Sequence, residues 1–199
     1  MIVDIILPIY KPTNFVYKAI NSVINQTYTN WHLYIIDDAS RDGGLEKIKK
    51  HYNKYYDKIT FYQFNKNRRA AACRNYAIRK GKGKYIAFID QDDIWHRKKL
   101  EKYVNYITNN SNTYLLHSNI NVIDKNNKIL PYYSKKENNY RNNFNYKISN
   151  KKKLAENLYN IYSVRLCTIL IARKQFLAIK GFNTNYFGGE DEEFIVRFA

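Results

Sequence analysis

In the first 108 residues, four apolar runs rich in β-branched and aromatic residues alternate with stretches whose apolar residues recur at helical spacing. Such a rhythm leaves few folds open. Each run is a short strand, each amphipathic stretch is the helix that returns the chain to the same end of a sheet, and the product is a mainly parallel α/β sheet. Residues 2–9 read as the first strand, closed by Pro8 and Pro12. Residues 14–25 read as the first helix, with Phe15, Ala19, Ile20, Val23 and Ile24 on one side. Further strands are expected at 31–36, 59–64 and 85–89, and helices at 44–55, 70–79 and 100–107.

The second half reads less regularly. Residues 114–123 and 164–172 have strand character, 154–162 and 192–198 helical character, and the polar, basic stretch 134–153 is expected to be a solvated loop whose tyrosines offer faces for sugar rings. The last apolar helix stops after two turns, which is marginal alone and predicts a missing C-terminal region. At 199 residues the chain fits one domain. No stretch approaches the roughly 20 apolar residues of a membrane-spanning helix, and the start lacks the pattern of a secretion signal, so a cytoplasmic location is expected. Cys73 and Cys167 lack metal or disulfide spacing and are expected to be reduced, packed thiols.

The formal net charge of +17 either follows from a composition rich in Lys, Asn, Ile and Tyr, with surface lysines that serve no dedicated partner, or marks an anionic ligand; of such ligands a lipid surface fits better than nucleic acid, because no DNA- or RNA-recognition motif accompanies the charge. Against this basic background the acids are concentrated. Nine of seventeen fall in three groups: Asp37 and Asp38; Asp90, Asp92 and Asp93; and Glu190 to Glu193. Clustered like charges are costly unless a cation or a proton relieves them. The first two groups directly follow the apolar runs YII and YIAFI, which puts them at the carboxyl ends of strands, where open α/β sheets bind ligands. Magnesium or manganese in nucleotide sites takes oxygen ligands, usually one or two carboxylates plus the diphosphate. Asp90-Gln91-Asp92-Asp93 supplies that arrangement, with Asp92 as the expected direct ligand; Asp93 is alternatively a cap for the helix beginning near His96.

Four stretches, in order across nearly the whole chain, resemble family 2 glycosyltransferases of the GT-A fold: ILPIYKP, AINSVINQTYTNWHLYIIDDASRDG, CRNYAIRKGKGKYIAFIDQDDIW and KGFNTNYFGGEDEEFIVRF. The resemblance implies a nucleotide-binding α/β/α sandwich, with residues 1–110 as the nucleotide-sugar half and 111–199 as the acceptor half. It also implies an inverting reaction, a UDP-sugar donor and Mn2+ or Mg2+. It sets Pro8, Tyr10 and Asp38 against the donor base with Asp37 beside them. A carboxylate can accept from N3–H of uracil or thymine, which cytosine lacks, so UDP or dTDP is expected. By the same resemblance Asp90 and Gln91 lie near the ribose and the metal, Asp92 on the metal, and Arg74 on phosphate or base. Trp95 and Glu190 fall on the acceptor side and Asp191 is the catalytic base, with Glu192 and Glu193 as first-turn helix acids.

One departure stands out. Arg68 and Arg69 replace glycines usual in the family, and they either grip the diphosphate or lie on a solvated helix start. The Q-x-x-R-W motif of processive members is absent from these residues, which implies transfer of a single sugar. The implied acceptor is a surface glycan on a lipid, such as lipooligosaccharide or an envelope polysaccharide precursor, met at the inner face of the membrane. Two other functions compete with this one. A sugar nucleotidyltransferase needs a Gly-rich loop after the first strand, where this chain reads LPIYKPTN. A basic module for nucleic acid or anionic lipid would leave the acids purely structural.

Overall fold

A computed structural model describes residues 1–131 and 164–198. Four βα units open the fold as the alternation predicts: β1 (Val3–Ile9), α1 (Phe15–Ile24), β2 (Trp31–Asp37), α2 (Gly44–His51), β3 (Ile59–Gln63), α3 (Arg69–Lys80), β4 (Tyr85–Phe88) and α4 (Lys99–Asn109). The expected helix 44–55 divides after His51 into a separate 3-10 turn, Asn53–Tyr55. The second half adds β5 (Leu115–Leu116), β6 (Leu170–Ala172), α5 (Arg173–Ala178) and α6 (Glu190–Phe198). The described strands form one sheet in the order β3-β2-β1-β4-β6-β5, parallel from β3 to β4 and antiparallel where β6 meets β4 and β5.

β1 lies between β2 and β4 with both faces covered, so its sequence VDIILPI is almost continuously apolar rather than alternating with polar residues. The two-residue pleat sorts side chains between two cores. Val3, Ile5, Leu7 and Ile9 of β1 join Leu33, Ile35 and Ala87 under α1, α2 and α4. Ile6, Ile36, Ile86 and Phe88 face the other way, against Ala71, Ala77 and Ile78 of α3, Phe176 of α5 and Phe194 of α6. The second core is closed by aromatic rings, with Phe182 and Phe194 4.6 Å apart and Phe176 5.1 Å from Phe194. This packing fixes the start of α6 relative to β4.

At the amino end of the sheet, Asp4 is buried within β1 and paired with Arg173, and it accepts a hydrogen bond from the Gly83 amide (2.8 Å). Burial pushes the Asp4 carboxyl up, against the opposing Gly83 amide and Arg173. A Cβ at Gly81 would stand 2.1 Å from the Asp4 carboxylate, which explains why GKG precedes β4. This lock lies at the end of the sheet opposite the acidic clusters.

Two strand expectations are corrected. Among the described residues, 114–123 forms strand only at Leu115–Leu116, followed by an isolated bridge between Ile123 and Ile129, and of 164–172 only Leu170–Ala172 is strand, after a 3-10 turn at Leu166–Thr168. β6 is three residues long, so it offers β5 no longer edge to pair with. The expected helix 192–198 begins at Glu190, which places all four acids in its first turn. The loop 134–153 and helix 154–162 lie outside the described residues.

Candidate active site

At the carboxyl edge of the sheet, strained turns replace regular structure. Four of the six non-glycine residues with positive φ among the described residues, Lys11, Ala39, Arg41 and Arg69, stand in the loops here. Such conformations persist where surrounding contacts impose them, and they concentrate at functional sites.

Asp37 and Asp38 end β2 and are both buried, but they face different partners. The Asp37 carboxylate accepts hydrogen bonds from the Ser40 amide, the Ser40 hydroxyl and Gln63 Nε2 (2.8 Å). Ser40 Oγ in turn accepts from the Lys11 amide (2.8 Å), so Asp37 organises the turns after β1 and β2. The Asp38 carboxylate accepts from the backbone amides of Arg68 and Arg69, both at 2.7 Å. These are orphan donors at the start of α3, and a side chain some thirty positions away supplies their cap. Arg69 sits at φ 69°, the left-handed region that favours glycine, which accounts for the glycine usual at this place in the resemblance. Its guanidinium stacks on the exposed Phe187 ring at 3.6 Å, and Arg68 lies over Phe64 at 5.5 Å.

The next group follows β4. Gln91 exchanges two hydrogen bonds of 3.2 Å with the backbone of Tyr10, joining the acidic loop to the turn after β1. Pro8 is half-buried within β1 opposite Ile36, and Tyr10 is exposed. Asp92 is exposed, and no hydrogen bond from the described residues engages its carboxylate. Asp93 is half-buried, and burial together with repulsion from Asp90 pushes its carboxyl up. Trp95 is only 6% exposed: its amide donates to Ser22 Oγ (3.0 Å) and its Nε1 to the Cys167 carbonyl (3.2 Å).

Arg74 connects the second and third groups. From the middle of α3 it donates to Asp90 Oδ1 through Nη2 (2.7 Å) and to Glu190 Oε1 through Nη1 (2.9 Å), with its side chain 6% exposed. Burial disfavours its charge, but Asp90, Glu190 and Asp191 more than offset this and hold its pKa above the ordinary value. The neighbouring Asn75 holds Phe182 from both sides, accepting from its amide (3.0 Å) and donating to its carbonyl (2.8 Å). Gly181 is needed there, since φ is 70° and a Cβ would meet Asn75 Oδ1 at 2.6 Å. The Arg74-Asn75 pair thus fastens the acidic start of α6 to the loop after β4.

Among the described residues no three His, Cys, Asp or Glu side chains gather as a metal cage. A hard divalent ion bound with a diphosphate needs no cage, only one or two carboxylates. The outward Asp92 carboxylate, with Asp90 beside it, fits that donor set. Sequence reasoning missed Ser40, Gln63 and Asn67. Asn67 is the one with a local signal, standing just before the Arg68-Arg69 turn, where its side chain donates to the Asp38 carbonyl (3.2 Å).

With this geometry, the chain belongs to glycosyl transferase family 2, whose model matches residues 4–174. TuaG of Bacillus subtilis, provisionally named a teichuronic acid biosynthesis glycosyltransferase, is 34% identical over 110 residues, 55% of this chain and 43% of that protein. The Escherichia coli UDP-Glc:alpha-D-GlcNAc-diphosphoundecaprenol beta-1,3-glucosyltransferase WfgD is 34% identical over 125 residues, 63% of this chain and 48% of that one. The chain therefore spans less than half the length of these curated relatives. The structure of Staphylococcus aureus TarS 1-349 superposes over the whole chain and 55% of its own length, with a TM-score of 0.72 at 19% identity. The same TarS fragment in complex with UDP-GlcNAc covers 99% of this chain and 53% of that one, at a TM-score of 0.69 and 16% identity. The fold is the GT-A fold of these glycosyltransferases. No helix among the described residues is long and apolar enough to cross a membrane.

Proposed function

We propose that the chain is the catalytic domain of an inverting glycosyltransferase that moves one sugar from a UDP-sugar to a hydroxyl of a glycan acceptor in cell-surface polysaccharide or lipooligosaccharide synthesis. The observation that carries this is the double ion pair of Arg74, which brings the acids after β4 and those opening α6 to one guanidinium. A sugar-transfer site needs both, one group toward the leaving diphosphate and one toward the acceptor.

In this reading Pro8, Tyr10 and Asp38, with Asp37 behind them, receive the uracil, and Asp90 and Gln91 flank the ribose. Asp92 would hold Mn2+ or Mg2+, which would supply electrostatic stabilisation to the departing diphosphate. Asp191 takes the proton of the acceptor hydroxyl as its oxygen bonds to the anomeric carbon. The bond from that carbon to the diphosphate breaks from the opposite side, giving a glycoside of inverted configuration and UDP. Glu190 lies on the acceptor side with Trp95 packed behind the loop there, and Arg74 keeps Asp90 and Glu190 in register. The UDP-GlcNAc held by TarS and the UDP-Glc in the name of WfgD support UDP as the nucleotide. The charge of +17 supports a cytoplasmic enzyme resting on an anionic membrane surface, where a lipid-linked acceptor is met.

The test is nucleotide release from a panel of nucleotide sugars with and without manganese, using lipid-linked glycans as acceptors. Manganese-dependent UDP release that rises with acceptor is the expected result. No release from any donor, together with no metal-dependent UDP binding by calorimetry, would reject the proposal.

A further inference from the structure

Lys99, at the start of α4, is 9% exposed, whereas its neighbour Lys98 is exposed. A buried ammonium is costly and persists only when its surroundings hold it. Here Nζ donates to the Cys167 carbonyl and lies over the Trp95 ring, 4.1 Å from the centroid. The same carbonyl accepts from Trp95 Nε1 (3.2 Å), and the Cys167 thiol donates to the Asp93 carboxylate. Asp93 is also in electrostatic range of Lys99. One residue of the 3-10 turn before β6 therefore gathers three side chains from the segment that follows β4. Apolar residues of similar volume would pack this space at lower cost, so a role in stability alone does not account for the charge.

Resting on the UDP-sugar reading above, we propose that Lys99 and Cys167 are positioning residues that, through Asp93 and Trp95, clamp the loop of Asp90, Gln91 and Asp92 in the form that receives the metal-diphosphate. Asp93 has its amide on the Asp90 carbonyl (3.1 Å), so holding Asp93 inward sets the loop backbone and leaves Asp92 facing out. The positive charge of Lys99 also offsets one of three crowded carboxylates without occupying the face that the ligand approaches.

Two measurements on the full chain, with Lys99→Met, Lys99→Arg and the double variant Asp93→Asn/Lys99→Met, test this. Hydrogen exchange without ligand reads the clamp itself. In Lys99→Met the amides of residues 91–95 should exchange about tenfold faster while those of β1 and α3 keep wild-type rates, and unchanged exchange at 91–95 overturns the proposal whether or not the protein binds a nucleotide. Calorimetry with UDP, with and without manganese, reads the positioning role. Lys99→Met should lose about tenfold in manganese-dependent affinity and less than about twofold without metal. Lys99→Arg and the double variant should recover most of the loss. Equal losses with and without manganese, or no recovery in either variant, would reduce Lys99 to a core residue and overturn the proposal. Absence of manganese-dependent UDP binding by the wild type would defeat the donor reading and the positioning role built on it, while the exchange result would still decide whether the clamp exists.

Discussion

Arg74 and Glu190 stand 116 positions apart in sequence and 2.9 Å apart in the fold, joined by a guanidinium whose other arm holds Asp90 at 2.7 Å. The fork matters: two nitrogens on one rigid plane span two carboxylates, which an ammonium cannot reproduce. Arg74→Lys is therefore expected to behave nearly as badly as Arg74→Met. Both should lose roughly a hundredfold in kcat/KM, the scale of a 1 Å misplacement of reacting groups. Steady-state kinetics on the two variants checks it, and wild-type turnover in Arg74→Lys would contradict the bridging role.

Asp92→Ala and Asp191→Ala should separate binding from transfer. The first removes the outward carboxylate after β4 and is expected to abolish the manganese dependence of UDP binding. The second should leave that binding within about twofold and lower turnover by roughly 10²–10⁴, the usual contribution of a general base. Calorimetry and nucleotide release on the same preparations distinguish the two patterns.

Phe194 is fully buried against Phe176 and Phe182, directly below the turn that carries Glu190 and Asp191. Phe194→Ala is expected to cost about 3–5 kcal/mol of stability, the range for a buried ring replaced by a methyl group. Chemical unfolding gives this figure. Turnover below the stability midpoint should fall as well, because the same ring sets where α6 begins.

Lys99 gives a pH dependence with a definite sign. Burial lowers its pKa to about 8, against the opposing pull of Cys167 and Asp93, while an unfolded lysine titrates near ~10.4. Between these values the unfolded chain binds the extra proton, so this group's contribution to stability rises with pH there and is flat below about 8. The charged and titratable groups facing it are Asp93, Cys167 and Tyr103. The wild type should gain stability relative to Lys99→Met between pH 7.5 and 9.5, measured by urea unfolding at both pH values. An unchanged difference would show that Lys99 keeps its proton.

Much of this arrangement is legible in the sequence. The run YIAFI followed by DQDD announces a buried strand with acids at its carboxyl end, because burial on both faces demands continuous apolar residues and the first acid marks where cover ends. The four βα units follow from the same logic. The partners are less legible, since they depend on contacts far along the chain. Asp37 and Asp38 read as a matched pair, yet one is taken up by Ser40 and Gln63 and the other by amides of α3. Lys98 and Lys99 are a doublet in sequence, and only the packing of α4 under Trp95 and Cys167 sends one into the core. The stretch 114–123 has strand composition, but among the described residues the strand it pairs with, β6, is three residues long.

The cap that Asp38 places on α3 has a mechanical consequence. The helix rises ~1.5 Å per residue, so the amides held by Asp38 and the residue that carries the Arg74 guanidinium stand less than two turns apart on α3. Asp38 holds the start of this helix, and Arg74 farther along it steadies Asp90 and Glu190. The acids after β2, after β4 and at the start of α6 are thereby tied to one another through the backbone of a single helix.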